Sequence, residues 1–131
     1  MPGGNQKMPG EAPAVAYEDL LQSVYDAFNE RDLDFIMLLL HPDVDWPNGM
    51  EGGRVRGHQA VRDYWTRQWD MIDPIVKPQR FESLADGKVV VHVHQTVRDL
   101  DGKVIMERTV QHIYRLDGAQ IVSMHIHEPQ N

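Results

Sequence analysis

The chain contains no cysteine in its 131 residues. That absence excludes a disulfide framework, thiolate zinc sites and cysteine nucleophiles together, so the fold must rest on packing alone. Long apolar runs are also missing. The longest is the short stretch Phe35 to Leu40, against the about 20 residues that a membrane-spanning helix requires, so no membrane partner is expected. Positive charge is scarce: thirteen Lys and Arg face twenty Asp and Glu, for a formal charge of -7. The basic residues form no run, which makes nucleic acid an unexpected partner. Residues Met1 to Ala14 hold three Gly and three Pro and lack an apolar segment of the kind a secretion signal carries. They read as a disordered tail, residues 1–14, ahead of a single domain over 15–131, and the cytoplasm is the expected location.

What is present is an ordinary globular composition with a change of period partway along. Tyr17, Leu20, Leu21, Val24 and Phe28 recur at helical spacing and predict a first helix to Asn29. Asp32 can cap a second, short helix containing Leu33, Ile36, Met37 and Leu40, which Pro42 ends. Asp43 to Trp46 reads as a short strand, and Pro47 to Gly53 as a loop. Gly57 then opens a third helix to about Met71, with Val61, Tyr64, Trp65 and Trp69 on one face. Beyond Asp73-Pro74 the period becomes two, predicting strands near Val76–Leu84, Lys88–Arg98, Val104–Leu116 and Gln120–His127. Asp86-Gly87, Asp101-Gly102 and Asp117-Gly118 supply the tight turns between them. Helices first and a meander afterwards make the expected class α+β.

Turn geometry then predicts which side chains share a face, since a slip of one residue exchanges the faces of a strand. A two-residue turn at Asp117-Gly118 pairs His112 with Ser123, Val110 with His125 and Arg108 with His127. The preceding turn pairs Val93 with Arg108. One face then holds Val89, Val91, Val93, Val97, Val104, Met106, Val110, Tyr114, Leu116 and Ile121, with Arg108, His112, His125 and His127 embedded in it. The opposite face carries His92, His94, Thr109, Gln111, Met124 and Ile126, a mixed surface expected to form a homodimer about a twofold axis.

The Glu30-Arg31-Asp32-Leu33 corner, His41-Pro42-Asp43-Val44-Asp45-Trp46, Gly57-His58-Gln59-Ala60-Val61 and Gln111-His112-Ile113-Tyr114-Arg115-Leu116-Asp117-Gly118 occur in an order and spacing that resemble the SnoaL-like group of the nuclear transport factor two-like superfamily. The resemblance covers roughly Tyr17 to Glu128. It implies a curved sheet wrapped around the helices into a cone-shaped α+β barrel, frequent homodimers, and a pocket walled by Trp46, by Tyr64, Trp65 and Trp69, and by the last two strands. In the ketosteroid isomerase relatives an aspartate base follows the first short strand, and that place falls near Asn48 here. Their helix-borne tyrosine falls near Val24. Their acidic hydrogen-bond donor falls at His112 if the Asp117-Gly118 turn counts as a one-residue deletion, and at Gln111 otherwise.

Among candidate catalytic residues, His112 with His125 or His127 can supply acid-base chemistry, because imidazole titrates near neutral pH. Asp45, if inward, can orient a histidine. Arg108 can hold an anionic or enolate oxygen, or be paired structurally with Glu128 or Asp45. Trp46, Tyr64, Trp65, Trp69, Arg108, Tyr114 and His127 are the expected ligand-binding residues, for a small apolar or aromatic molecule. The pairs His92-x-His94 and His125-x-His127 each have a spacing that can ligate metal, but the register places them on opposite faces, which excludes a single four-histidine site; no metal is expected at either pair alone, and no cofactor is expected. The leading expectation is a cofactor-independent isomerase, cyclase or dehydratase. The alternative is a non-catalytic ligand-binding or dimerisation module of the same fold.

Overall fold

A computed structural model describes residues 12–128. Its order is α1 (Ala12–Asn29), α2 (Leu33–Leu39), β1 (Leu40–Pro47), β2 (Arg54–Arg56), α3 (His58–Met71), β3 (Asp73–Ser83), β4 (Val89–Arg98), β5 (Val104–Asp117) and β6 (Gln120–His127). Most of the expected tail lies outside the described residues, and α1 already begins within it at Ala12. The Asp32 side chain accepts a hydrogen bond from the Phe35 N–H and so caps α2. Arg31 in the corner before it has a φ of 62°. The left-handed conformation is costly for a side chain of this kind. It is held by an ion pair to Asp73 and by stacking of the guanidinium over Trp69, 4.9 Å from the ring centre.

The six strands form one curved, unclosed sheet in the order β2-β1-β6-β5-β4-β3, antiparallel except for β1 against β6. The helices cover its inner face. The Asn29 side-chain amide ties the end of α1 to β3 by accepting from Val76 N–H and donating to Val76 C=O. Gly57 caps α3 without a side chain, and its φ of 88° is a backbone conformation that residues with a Cβ rarely adopt. The core joins Leu21, Val24 and Tyr25 of α1 to Ile36, Leu40 and Val44, to Val61, Tyr64 and Trp65, and to Val89, Val91, Val93, Val110, Tyr114, Ile121 and Met124. β2 has no counterpart among the expected elements, because three exposed or half-buried residues leave no periodic pattern. Leu40 starts β1 and does not end α2.

The register departs from expectation at two places. Along β4 and β5, Val93 lies opposite Val110 and Val97 opposite Met106. The Asp99–Lys103 turn sets Arg98 opposite Val104, one step from expectation, and an extra residue at Ile105 adds the second step, so the expected faces hold from Met106 onward. Along β5 and β6 the faces themselves change. Leu116 pairs with Ile121 but Arg115 pairs with Ser123, so Val122 is an extra residue in β6. A bulge of this kind reverses the alternation beyond it. Ile121 and Met124 therefore both point inward and are buried, and Ile126 follows Met124, while His125 and His127 stand exposed on the outer face. Their expected placement in the core face is corrected, as is that of Met124 and Ile126 on the dimer face. Of the other residues assigned to the core face, Val104 lies opposite Arg98 beyond the extra residue Ile105, on the outer face, and is 44% exposed, and Met106, opposite Val97, is 40% exposed at the cavity's edge.

Candidate functional site

Between the helices and the sheet lies a cavity of about 170 Å³. Its walls come from α1 (Val24, Tyr25, Phe28), from the end of β1 and the loop after it (Trp46, Pro47, Gly49, Met50), from α3 (Tyr64, Trp65, Gln68), and from Val97, Met106, Arg108, His112, Tyr114, Met124 and Ile126 of the sheet. Met106 and Ile126 line the cavity yet are each 40% exposed, so they mark its mouth. The aromatic wall is organised by edge contacts. Trp46 meets Trp65 with ring centres 5.3 Å apart, and Phe28 meets Trp65 at 5.5 Å. An apolar cavity of ~150 Å³ holds a benzene ring. The space here fits one ring with its substituents, and more only through the mouth.

The polar groups converge on His112, which is buried on the inner face of β5 opposite Val91 and Ile126. Its Nδ1 is 2.7 Å from the Tyr25 hydroxyl, and the Tyr114 hydroxyl donates to the Tyr25 oxygen at 2.7 Å. Imidazole and the Tyr25 ring are nearly parallel, at 14°. With Tyr25 receiving from Tyr114, its own proton is directed at Nδ1. The neutral imidazole then carries its hydrogen on Nε2, an atom that bonds no described residue. Burial, and secondarily the Arg108 charge, push the His112 pKa down to about 4. Burial also raises both tyrosine hydroxyls above their usual range. The relay is therefore uncharged at neutral pH, with its hydrogens aligned toward the cavity, an arrangement in which each bond polarises the next.

Two further donors border the same space. The Tyr64 oxygen accepts from Gly49 N–H at 3.0 Å and, more weakly, from Gln68 Nε2 at 3.4 Å. Its own hydrogen has no acceptor among the described residues. Arg108 donates to Gln95 Oε1 at 3.3 Å and pairs with Glu128 at 2.5 Å, the structural partnership its position at the mouth made plausible. Among the described residues, no Asp or Glu lines the cavity.

Of the sequence-derived candidates, His112, Trp46, Tyr64, Trp65, Arg108 and Tyr114 thus meet around one cavity. Asp45 does not join them; Arg54 holds its carboxylate at 3.0 Å. His125 and His127 face away across the sheet, and Trp69 packs behind the wall on Phe28 and Trp65. Asn48 is buried but organises its own loop, accepting from Glu51 N–H and donating to the Glu51 carboxylate. Sequence reasoning missed Tyr25. It was counted with neither the helical stripe nor the site, although it adjoins Val24, where the resemblance placed a helix-borne tyrosine.

The chain matches the SnoaL-like domain model over residues 21–124. It belongs to the SnoaL-like family. Its fold is shared by TerC, whose structure was obtained with polyporic acid: 23% identity, TM-score 0.74, covering 90% of this chain and 92% of that one. A nuclear transport factor two-like protein of unknown function from Burkholderia pseudomallei is 25% identical, with a TM-score of 0.73 over 86% of this chain and 89% of that one. SalBIII, an epoxide hydrolase/cyclase-like enzyme of pyran ring formation in the polyether salinomycin, is 16% identical, with a TM-score of 0.74 over 88% and 92%. No curated protein sequence matches this SnoaL-like chain.

Proposed function

We propose that this SnoaL-like protein is a cofactor-independent enzyme of the isomerase or cyclase type that acts on a small ring compound through its enolate. The observation that carries the reading is the set of donors that converge on the cavity: the Nε2–H of neutral His112, the free Tyr64 hydroxyl hydrogen and the Arg108 guanidinium. Such donors favour an oxygen that gains negative charge during reaction. A neutral imidazole suits this task better than proton abstraction from carbon, because a base with a pKa of about 4 has little driving force for it. With no carboxylate among the described residues of the wall, the proposed substrate is one whose C–H is already acidic, such as a 1,3-dicarbonyl. Its enolate forms in water and is then held for isomerisation or ring closure. SalBIII supports the ligand class by its role in pyran ring formation, and TerC supports a small-molecule pocket by its co-crystallisation with polyporic acid.

The test uses cyclic 1,3-diketones of one and two rings, whose enolates absorb in the ultraviolet. Bound to the protein, their apparent pKa should fall by a unit or more, and His112→Phe or Arg108→Gln should restore the free value. Equal affinity for the enol and the enolate would contradict the enolate reading. Binding without conversion of any ring-closing substrate would instead favour the ligand-binding module, a reading that the missing carboxylate supports.

We also propose a homodimer through the outer sheet face. With Met124 and Ile126 turned inward, the part of that face proposed for the contact consists of His92, His94, Thr109 and Gln111, with His127 opposite Gln111. Light scattering at micromolar concentration should give twice the chain mass at pH 8. A single-chain mass at pH 8 would remove the proposal.

A further inference from the structure

A second cavity, of about 210 Å³, opens on the outer face of the sheet, bounded by Lys88, Ile113, Arg115, Ser123 and His125. The strand ladder explains why they meet. Val89 lies opposite Tyr114, which sets Lys88 beside Arg115, and Arg115 lies opposite Ser123 while Ile113 lies opposite His125. The bulge at Val122 is what delivers His125 to this side. Like charges side by side on neighbouring strands are destabilising unless something offsets them. Yet in a chain with twenty acidic residues, Arg115 has no carboxylate partner, and neither Ser123 nor His125 bonds a side chain, among the described residues. Lys88 has only Asp86, at 3.5 Å. The nearest acid across the sheet, Asp45 opposite Ser123, is already bound by Arg54.

We infer that this cavity binds a phosphoryl group. Arg115 offers a planar fork of donors, Lys88 a compact charge, and Ser123 and His125 a hydroxyl and a ring nitrogen, a set matched to an oxyanion. The Ile113 side chain forms one wall and leaves room for a group attached to the phosphate. The site lies on the other side of the sheet from the His112 cavity and does not depend on the reading of that cavity.

The experiment is an amide NMR titration of the full chain at pH 7.5 and constant ionic strength, with inorganic phosphate in one arm and phenyl phosphate in the other. Saturable shifts should be confined to residues around Lys88, Arg115, Ser123 and His125. Arg115→Gln should weaken binding at least tenfold, whereas Lys103→Gln, at a distant turn, should leave it unchanged. Tighter binding of phenyl phosphate identifies an organic phosphate as the ligand, and equal binding identifies the free ion. Unsaturated shifts scattered over the surface, or an unchanged affinity in an Arg115→Gln protein with wild-type melting temperature, would overturn the inference.

Discussion

Burial fixes the protonation state of His112, and through it a pH dependence of stability. An unfolded histidine takes up its proton near pH 6.5, but the folded one does so only at about 4. Between those values the unfolded chain holds more protons than the folded chain. Stability is therefore complete above about pH 6.5 and is lost as the pH falls toward 4, by roughly 3 kcal/mol at the full extent of the shift. His112→Gln should flatten that part of the profile, measured by urea denaturation at several pH values, although the change also removes the partner of Tyr25. An unchanged slope in the variant would show that another group produces it. The inward face of His112 was legible in the alternation of β5. Its partner was not, because Tyr25 lies 87 positions away and only the packing of α1 on the sheet brings the two together.

At the scale of elements, the sequence is most readable where period and punctuation agree. Asp32 before Leu33-Asp34-Phe35-Ile36, and Gly57 before the apolar stripe of α3, marked helix starts that the structure contains. The β6 bulge left no such mark. Turn chemistry at Asp117-Gly118 sets the register only up to the first irregularity, and Val122 is as acceptable in a regular strand as in a bulge. The signal that was available is hydrophobicity: Ile121, Met124 and Ile126 are apolar, whereas His125 and His127 are not. A pair of substitutions reads this directly. Met124→Ala should lower stability by about 2 kcal/mol or more, since it empties a buried position. His125→Ala should stay within about 0.5 kcal/mol, as is usual for an exposed side chain. The reverse order in thermal denaturation would restore the regular strand.

The whole molecule separates its chemistry by face. Helices cover the inner face of the sheet and leave there a cavity with converging hydrogen-bond donors, and the outer face collects imidazoles and the neighbouring cations Lys88 and Arg115. The α+β architecture and the convergence of Trp46, the α3 aromatics and β5 were legible because helix faces and strand alternation are local patterns. The balance of charge around the cavity was not. Asp45, the carboxylate assigned to it, is adjacent in sequence to Trp46 but points across the sheet to Arg54. A site built on a histidine and a carboxylate thereby becomes one built on a histidine and two tyrosines.

That exchange is tested most directly by nitrogen-15 NMR of the histidine side chains. His112 should remain neutral from pH 8 to below 5 and titrate at about 4, with Nδ1 showing the shift of an unprotonated acceptor and Nε2 that of an N–H. Tyr25→Phe should abolish the tautomer preference. A His112 that titrates near 6.5, or that carries its neutral proton on Nδ1, would contradict the account.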